Sequence, residues 1–483
     1  STVVSDPPSL PIGRSLVVHA TPALHPSLAR VLWWDELPAE LTEPIGRPLD
    51  QNASADVAIV GAGFTGLWTA YYLKQREPDL DIVVIEKEIA GFGASGRNGG
   101  WASAHFPQDD LAVARHAGVD AARAFRTMMN ASVDEIGRVA DSHGWDIDWA
   151  KGGSVIAART ESQAARMKTA YQHEQAAGLE PNYELLTANQ AQARIKATGV
   201  LAGTYTPHCA AIQPARLVRN LARQVVSSGV RLFENSPATS IEPGIVRTSR
   251  GCVRARYVLR CTEGYTPNIP GQHRTLLPVY SLMVATEPLP SQTWDDIGLD
   301  GRPTFADGRH LVIYGQRTAD DRIAFGGRGA PYRFGSRLDP ASETNSAIHH
   351  GLRRTLREMF PVLSNYRFTH AWGGALGIAR DWWASVGLDR TSGMGWCGGY
   401  VGDGVTTANL GGRTLAALIT GATDDPLVHA PWVDHPSRPW EMEPARWIAT
   451  SVGMKVVSSA DRVESETGKT SLRGRLMGSL TGH

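Results

Sequence analysis

Residues 56–66 read Asp-Val-Ala-Ile-Val-Gly-Ala-Gly-Phe-Thr-Gly (DVAIVGAGFTG), and this stretch decides the fold. Asp56 to Val60 is a short, nearly all-apolar run of the kind buried in a parallel sheet. It leads into Gly61, Gly63 and Gly66 at GxGxxG spacing. Leu67, Ala70, Tyr71 and Lys74 follow at 3/4 spacing, which predicts a helix. A second apolar run, Ile82 to Ile85, ends in Glu86. Strand, glycine turn, helix, strand and acid within about 30 residues form a dinucleotide-binding unit. Gly61 makes the tight turn, Gly63 lets a pyrophosphate approach the backbone, and Gly66 lets helix and strand pack closely. Phe64 and Thr65 open the helix, whose free N–H groups favour phosphate. Glu86, with Lys87 beside it, is placed to accept hydrogen bonds from a ribose diol. A carboxylate there argues against a 2′-phosphate. A glycine turn in an ordinary α/β unit is the plainer reading, but the flanking elements and the acid outweigh it.

Two further glycine clusters choose between dinucleotides. Residues 91–101 read GFGASGRNGGW. A loop with so few Cβ atoms exposes many N–H groups and suits a pyrophosphate and a flavin edge. Its candidates are Gly93, Ala94, Ser95, Asn98, Gly99, Gly100 and Trp101, together with Arg97, which could pair with phosphate or with the pyrimidine end of a flavin. The other cluster ends in Gly402-Asp403-Gly404, just ahead of a helix predicted over Val405 to Ile419. A helix N-terminus there could stabilise negative charge on the flavin N1–C2=O edge.

These strings resemble the D-amino-acid oxidase-type flavoprotein superfamily, and within it the γ-glutamylputrescine oxidoreductase-like amine oxidases. GFGASGRNGG and GYVGDGVTTANLGGR carry the resemblance, and YGQRTADDRIAFGG resembles a substrate-domain hairpin. It spans roughly Leu32 to Ala430. The resemblance implies an α/β plus α+β architecture: a glutathione-reductase-like FAD-binding domain interleaved with an antiparallel-sheet substrate domain. The FAD-binding domain would comprise 55–105, 200–270 and 370–430, and the cap 106–199 and 271–369. The resemblance also assigns Ala238, Thr262, Gly264, Gly374, Gly402, Gly404, Val405 and Thr406 to cofactor contact. Trp372, Tyr400 and Asp403 become candidate catalytic residues. The family's usual histidine between the glycines is Asp403 here, and the sarcosine-oxidase lysine is Thr406, which favours an amine over a simple amino acid. Arg328 or Arg380 could still anchor a carboxylate from elsewhere.

Composition bounds the rest. The chain has 483 residues, too many for one simple core. Lys+Arg and Asp+Glu are both 48, so the basic excess of a nucleic-acid binder is absent. Cys209, Cys252, Cys261 and Cys397 are scattered, without zinc or disulfide spacing, and imply a reducing, cytoplasmic setting. No secretory signal and no run of about 18 apolar residues is read. HExxH, GxSxG and Walker A motifs are not found, and no metal site is expected from the histidines.

Proline punctuates 1–54, which reads as an extended arm anchored by Trp33 and Trp34. Residues 110–200 read as helical, with helices at Asp120–Val139 and Glu161–Ala177, and Arg216–Ser228 as another helix. Val230–Phe233 and Val253–Leu259 read as strands around a hairpin. Tyr280–Thr286, His310–Tyr314 and Arg322–Gly327 read as further strands. The tail, 431–483, reads as helical from about Pro444 to Arg462 and loose from Glu464 on.

The expectation is an FAD-dependent enzyme, with FAD held non-covalently, that oxidises the C–N bond of a small-molecule amine to an imine. Water then gives an aldehyde and an amine or ammonia, and O₂ or another acceptor takes the electrons. The alternatives are an amino-acid or N-methyl-amino-acid oxidase or dehydrogenase of the same superfamily, or a flavin monooxygenase, for which a second GxGxxG with its acid is missing.

Overall fold

Val57–Val60 and Ile82–Ile85 are buried throughout, so both faces of their sheet must be covered. The computed structural model describes residues 25–329 and 332–467. The first sheet runs in the order Ser385–Asp389, Met394–Gly398, Cys252–Arg260, Ala53–Val60, Ile82–Ile85, Arg231–Phe233. Its four central pairings are parallel. The helices Phe64–Arg76, Pro214–Ser227 and Gly404–Ile419 cover one face. An antiparallel hairpin, Ala238–Glu242 with Ile245–Thr248, extends from Cys252–Arg260 and helps close the other.

The second sheet is antiparallel except for one pairing. Its order is Phe368–Ile378, Leu277–Thr286, Ile323–Arg328, Ile313–Arg317, Thr304–Asp307, Ser154–Ala158, Ala202–Thr206, Glu184–Thr187. The helix Ser346–Met359 packs its apolar side behind this sheet.

Several expectations need correction. The stretch 110–200 does contain the helices Val119–Ser142 and Glu161–Ala176, but also the strands Ser154–Ala158 and Glu184–Thr187. Runs of five and four residues are too short to show a period, and Ser154–Ala158 is stabilised by a strand 150 residues away in sequence, Thr304–Asp307. Arg231–Phe233 and Cys252–Arg260 do not flank one hairpin; each joins the parallel sheet, and the hairpin lies between them. The strand sought at His310–Tyr314 begins at Ile313. Ala202–Thr206 and Phe368–Ile378 belong to the second sheet, so segment edges at 200 and 370 fall inside or beside strands of that sheet.

The arm is not extended where it is described. It makes three short helical turns, at Leu28–Arg30, Leu32–Asp35 and Ala39–Thr42, while residues 1–24 lie outside the described residues. Trp33 and Trp34 are buried, and the Trp33 indole donates to the Asn98 carbonyl at 2.8 Å. Arg219 is fully buried and donates to the Leu41 carbonyl at 2.8 Å. Glu234, also fully buried, accepts from the backbone N–H of Ile45, Gly46 and Ala90 at 2.8–3.0 Å. The tail forms one helix, Ala445–Thr467, and 468–483 lie outside the described residues. Glu464 is not loose: it is buried and pairs with Arg166 at 2.6 Å.

Glu234 therefore welds the arm to the first sheet. Glu234 also lies 3.5 Å from Arg219 Nη1, so Glu234→Gln should lower unfolding free energy by about 3 kcal/mol, because that buried cation loses its charged partner. Urea denaturation of the two proteins measures this, and an unchanged midpoint would contradict it.

Candidate functional site

The site starts at the turn after Val60. Gly61 has φ +107°, and a Cβ there would stand 2.3 Å from the Cys261 carbonyl oxygen. A Cβ on Gly66 would stand 2.0 Å from the Gly61 carbonyl oxygen, so only glycine lets helix and strand meet. The helix beginning at Phe64 thus points its N-terminus into a long cleft that opens to solvent.

The cleft runs between two ends. At one, Glu86 and Lys87 face Ala238 across the opening. The Glu86 carboxylate accepts from the N–H of Ala62 at 2.8 Å and Glu88 at 2.9 Å. Burial raises it to about 6, while those two N–H groups pull it back. At the other end Gly402, Gly404 and Val405 open the helix Gly404–Ile419, opposite Ala375 and Leu376. Between the ends lie Gly61, Gly63, Phe64 and Thr65 on one side, and Gly93, Ala94, Ser95 and Asn98 on another, with Thr262 and Gly264 closing the wall. The Ser95 hydroxyl accepts from the Phe64 N–H at 2.8 Å, which ties the two glycine loops together.

The remaining anticipated residues do not line the cleft. Gly66 acts in packing, as its spacing implies. Arg97 is buried and faces away: it pairs with Glu343 at 2.6 Å, donates to Ser27 Oγ at 3.0 Å and lies 4.5 Å over the Phe92 ring. Its charge is therefore used to hold the loop, not offered to a phosphate. Gly99 and Gly100 present their carbonyls to Gln316 Nε2 at 2.8 and 3.0 Å. The Trp101 indole donates to the Gly315 carbonyl at 3.2 Å. Gly374 sits against the Arg97 side chain.

The candidate catalytic residues divide similarly. Trp372 is buried beside Trp33 and donates its indole N–H to the Arg97 carbonyl at 2.8 Å, so it belongs to the core under the arm. The Tyr400 hydroxyl lies 2.7 Å from Thr65 Oγ1 and 3.1 Å from Cys397 Sγ. Burial holds that phenol far above its ordinary value, which suits a strut and not a proton carrier. Asp403 precedes the helix Gly404–Ile419 without capping it through its side chain, and its charge reaches Arg328. Thr406 is buried, with Oγ1 unpartnered among the described residues. Such an orphan polar atom at a helix start, beside a glycine-lined cleft with a ribose-type acid at its far end, fits a flavin dinucleotide. Among the described residues no group of three or more His, Cys, Asp or Glu could hold a metal.

Glu263 escaped sequence reading. It adopts φ +40° three residues past the end of the strand Cys252–Arg260. Its carboxylate accepts from Gly377 at 3.1 Å, Gly399 at 2.8 Å and Tyr400 at 3.2 Å, joining both sheets at the cleft wall. The only available signal was an acid in the short turn that follows the strand, where Thr262 and Gly264 drew attention instead. Burial raises Glu263 to about 7 against those three N–H groups and Arg260. A raised carboxyl holds its proton more tightly when folded, so its contribution to stability falls as pH rises from about 4.5 to about 7. Glu86 is shifted in the same sense, so the comparison must be differential. Glu263→Gln should flatten that slope relative to the parent in urea unfolding at pH 5 and pH 7; parallel slopes would refute it.

The chain matches the family model described as DAO, FAD dependent oxidoreductase, over residues 56–418. It is 29% identical over 381 residues to γ-glutamylputrescine oxidoreductase of Escherichia coli (strain K12), covering 77% of this chain and 85% of that one. It is 28% identical over 383 residues to a probable oxidoreductase OrdL of Haemophilus influenzae, with the same coverage of both. Among solved structures, glycine oxidase from Geobacillus kaustophilus superposes with a TM-score of 0.65 at 20% identity, covering 80% of this chain and 100% of that one. L-proline dehydrogenase from P. horikoshii gives 0.63 at 19% identity, covering 79% and 98%. At such identities these structures speak to the α/β fold alone. With a matched segment reaching from the glycine turn through the Gly404–Ile419 helix, the chain belongs to the DAO family of FAD dependent oxidoreductases.

Proposed function

We propose that this oxidoreductase oxidises the C–N bond of a small amine, using FAD held non-covalently in the cleft. The observation that carries this reading is the continuity of the cleft from Glu86 to the start of the Gly404–Ile419 helix, in a chain related to an amine-acting oxidoreductase. The cleft would form the junction of an FAD-binding unit (55–105, 200–270, 370–430) and a cap (106–199, 271–369), with Ala202–Thr206 and Phe368–Ile378 supplying cap strands. Cys261 is the cysteine on the cleft wall, and burial raises its thiol to about 12, which keeps it protonated and supports non-covalent binding. The free thiols at all four cysteines suit a cytoplasmic setting.

Bound FAD would supply the two-electron acceptor for the hydride lost from the carbon beside nitrogen; the resulting imine is hydrolysed to an aldehyde and an amine or ammonia, and O₂ or another acceptor takes the electrons onward. The protein's part is positional and electrostatic. Glu86 would accept hydrogen bonds from the ribose of bound FAD. The N–H groups opening the Phe64–Arg76 helix face the pyrophosphate. Those opening the Gly404–Ile419 helix stabilise negative charge at the far end, where Asp403 opposes them and Arg328 offsets Asp403. Ala375 and Leu376 bring the second sheet to one side of the cleft. Among the described residues no wall side chain is assigned as an obligatory base, which suits an amine that arrives neutral. Arg328 keeps open the second reading, an amino-acid or N-methyl-amino-acid oxidase.

Purified protein should be yellow, release its flavin on acid precipitation, and bleach anaerobically with an amine; a colourless protein unable to take up FAD would sink this reading. Glu86→Ala should weaken FAD uptake by roughly 10- to 100-fold, through loss of charge-assisted hydrogen bonds. Quenching of flavin fluorescence on titration measures it, and parental affinity would remove Glu86 from the ribose site.

A further inference from the structure

Large exposed apolar side chains are not spread evenly over this surface. Among the described residues, Met442, Trp447, Ile448 and Val452 are all exposed, at or just before the start of the Ala445–Thr467 helix. Phe334, also exposed, adjoins them, because the N–H of the next residue, Gly335, donates to Glu443 at 2.9 Å. The helix is held from one side. Its buried positions, Arg446, Ala460 and Glu464, fall on a single stripe at 3.6 residues per turn. Arg446 donates to the His273 carbonyl at 3.0 Å. Asp461 accepts from the N–H groups of His310 and Leu311 at 2.7 Å, and Glu464 from Arg166 at 2.6 Å.

The outward face has a different composition. Trp447, Ile448 and Val452 are 43%, 51% and 55% exposed. Farther along, the exposed positions are Lys455, Ser458 and Arg462. From Ala445 through Glu464 no acidic residue is exposed, because Asp461 and Glu464 are spent on the inward contacts. The sequence that follows, 468–483, carries Lys469, Arg473 and Arg475 and neither Asp nor Glu. An isolated exposed apolar residue is ordinary, but a cluster on one helix face marks a contact surface. Two features select the partner. The cluster runs along the outward ridge of a helix, whereas peptides are captured in grooves. Its charge is of one sign, so a second copy packed face to face would bring Lys455 and Arg462 towards a surface with no acid to receive them. Anionic lipid meets both demands: the bilayer interface takes tryptophan and aliphatic side chains, and the headgroup phosphates take the cations.

We infer that the outward face of the Ala445–Thr467 helix docks on an anionic membrane surface. Trp447, Ile448 and Val452 enter the headgroup layer, Lys455 and Arg462 pair with lipid phosphates, and the cations of 468–483 add to the attraction. No helix among the described residues is long and apolar enough to cross a membrane, so the contact is with its surface. Trp440, just ahead of this helix, shares a core cluster with Leu376 of the cleft wall, so the docking segment and the cleft belong to one packed unit.

The test sediments the whole 483-residue chain with lipid vesicles. Vesicles of phosphatidylcholine mixed with phosphatidylglycerol should carry the protein down, and vesicles of phosphatidylcholine alone should bind it roughly tenfold more weakly. Salt at about 1 M, where the Debye length is about 3 Å, should release most of it. The triple variant Trp447→Ser, Ile448→Ser, Val452→Ser should bind the mixed vesicles roughly tenfold more weakly, and so should Lys455→Glu with Arg462→Glu. Leu201→Ser, at an exposed apolar residue outside this helix, should bind as the parent does. Thermal midpoint and flavin content establish that each variant is folded. Equal binding to both kinds of vesicle, binding to neither, or parental binding by the triple variant would overturn the inference. So would a lipid-free dimer that becomes monomeric in the triple variant, since that outcome gives the face to a second copy.

Discussion

No side chain stands between Gly66 and the Gly61 carbonyl, and the architecture of the cleft depends on that contact. It brings the first turn of the Phe64–Arg76 helix onto the end of the Ala53–Val60 strand. The helix axis is thereby aimed at the opening beyond the sheet, and its unpaired N–H groups become a wall. Everything else is arranged around that opening: a carboxylate at the end of the neighbouring strand, a second glycine loop tied down through Ser95, and a second helix start contributed from more than 300 residues later. Two helix N-termini converging on one cleft make a strongly anion-attracting environment in a chain of zero net charge.

The local part of this was legible in the sequence. The unit at 56–86 is written in short-range spacing, where helix and strand periods differ and glycine marks the turn. The long-range part was not. Arg97 reads like a phosphate ligand because its loop suits one, but it is bonded to Glu343, 246 positions away. Trp372 reads by resemblance like a catalytic residue and packs in the core, because the arm supplies Trp33 beside it. Ser154–Ala158 carries too few residues to show a period, and its partners at 202–206 and 304–307 decide its state. Glu263 gives no local sign of three backbone donors converging from distant segments.

Buried acids are the recurring device. Glu86, Glu234 and Glu263 each accept backbone N–H groups from segments that would otherwise end with orphan donors. Each substitutes for a stretch of regular structure where the chain cannot form one. Two of them pay for this with raised proton affinity, which couples the cleft's rigidity to pH.

The walls of the cleft come from both ends of the chain. Gly61 and Glu86 belong to its first fifth, whereas Leu376, Gly402 and Val405 come from its last quarter. During synthesis the glycine turn leaves the ribosome long before the strand and helix that face it. A nascent chain stopped short of residue 405 has half a socket, with its glycine loops not yet faced by the Gly404–Ile419 helix. Cofactor capture is therefore a late event, and the apo chain must keep an open, glycine-rich seam from misassembling until the final helix is in place.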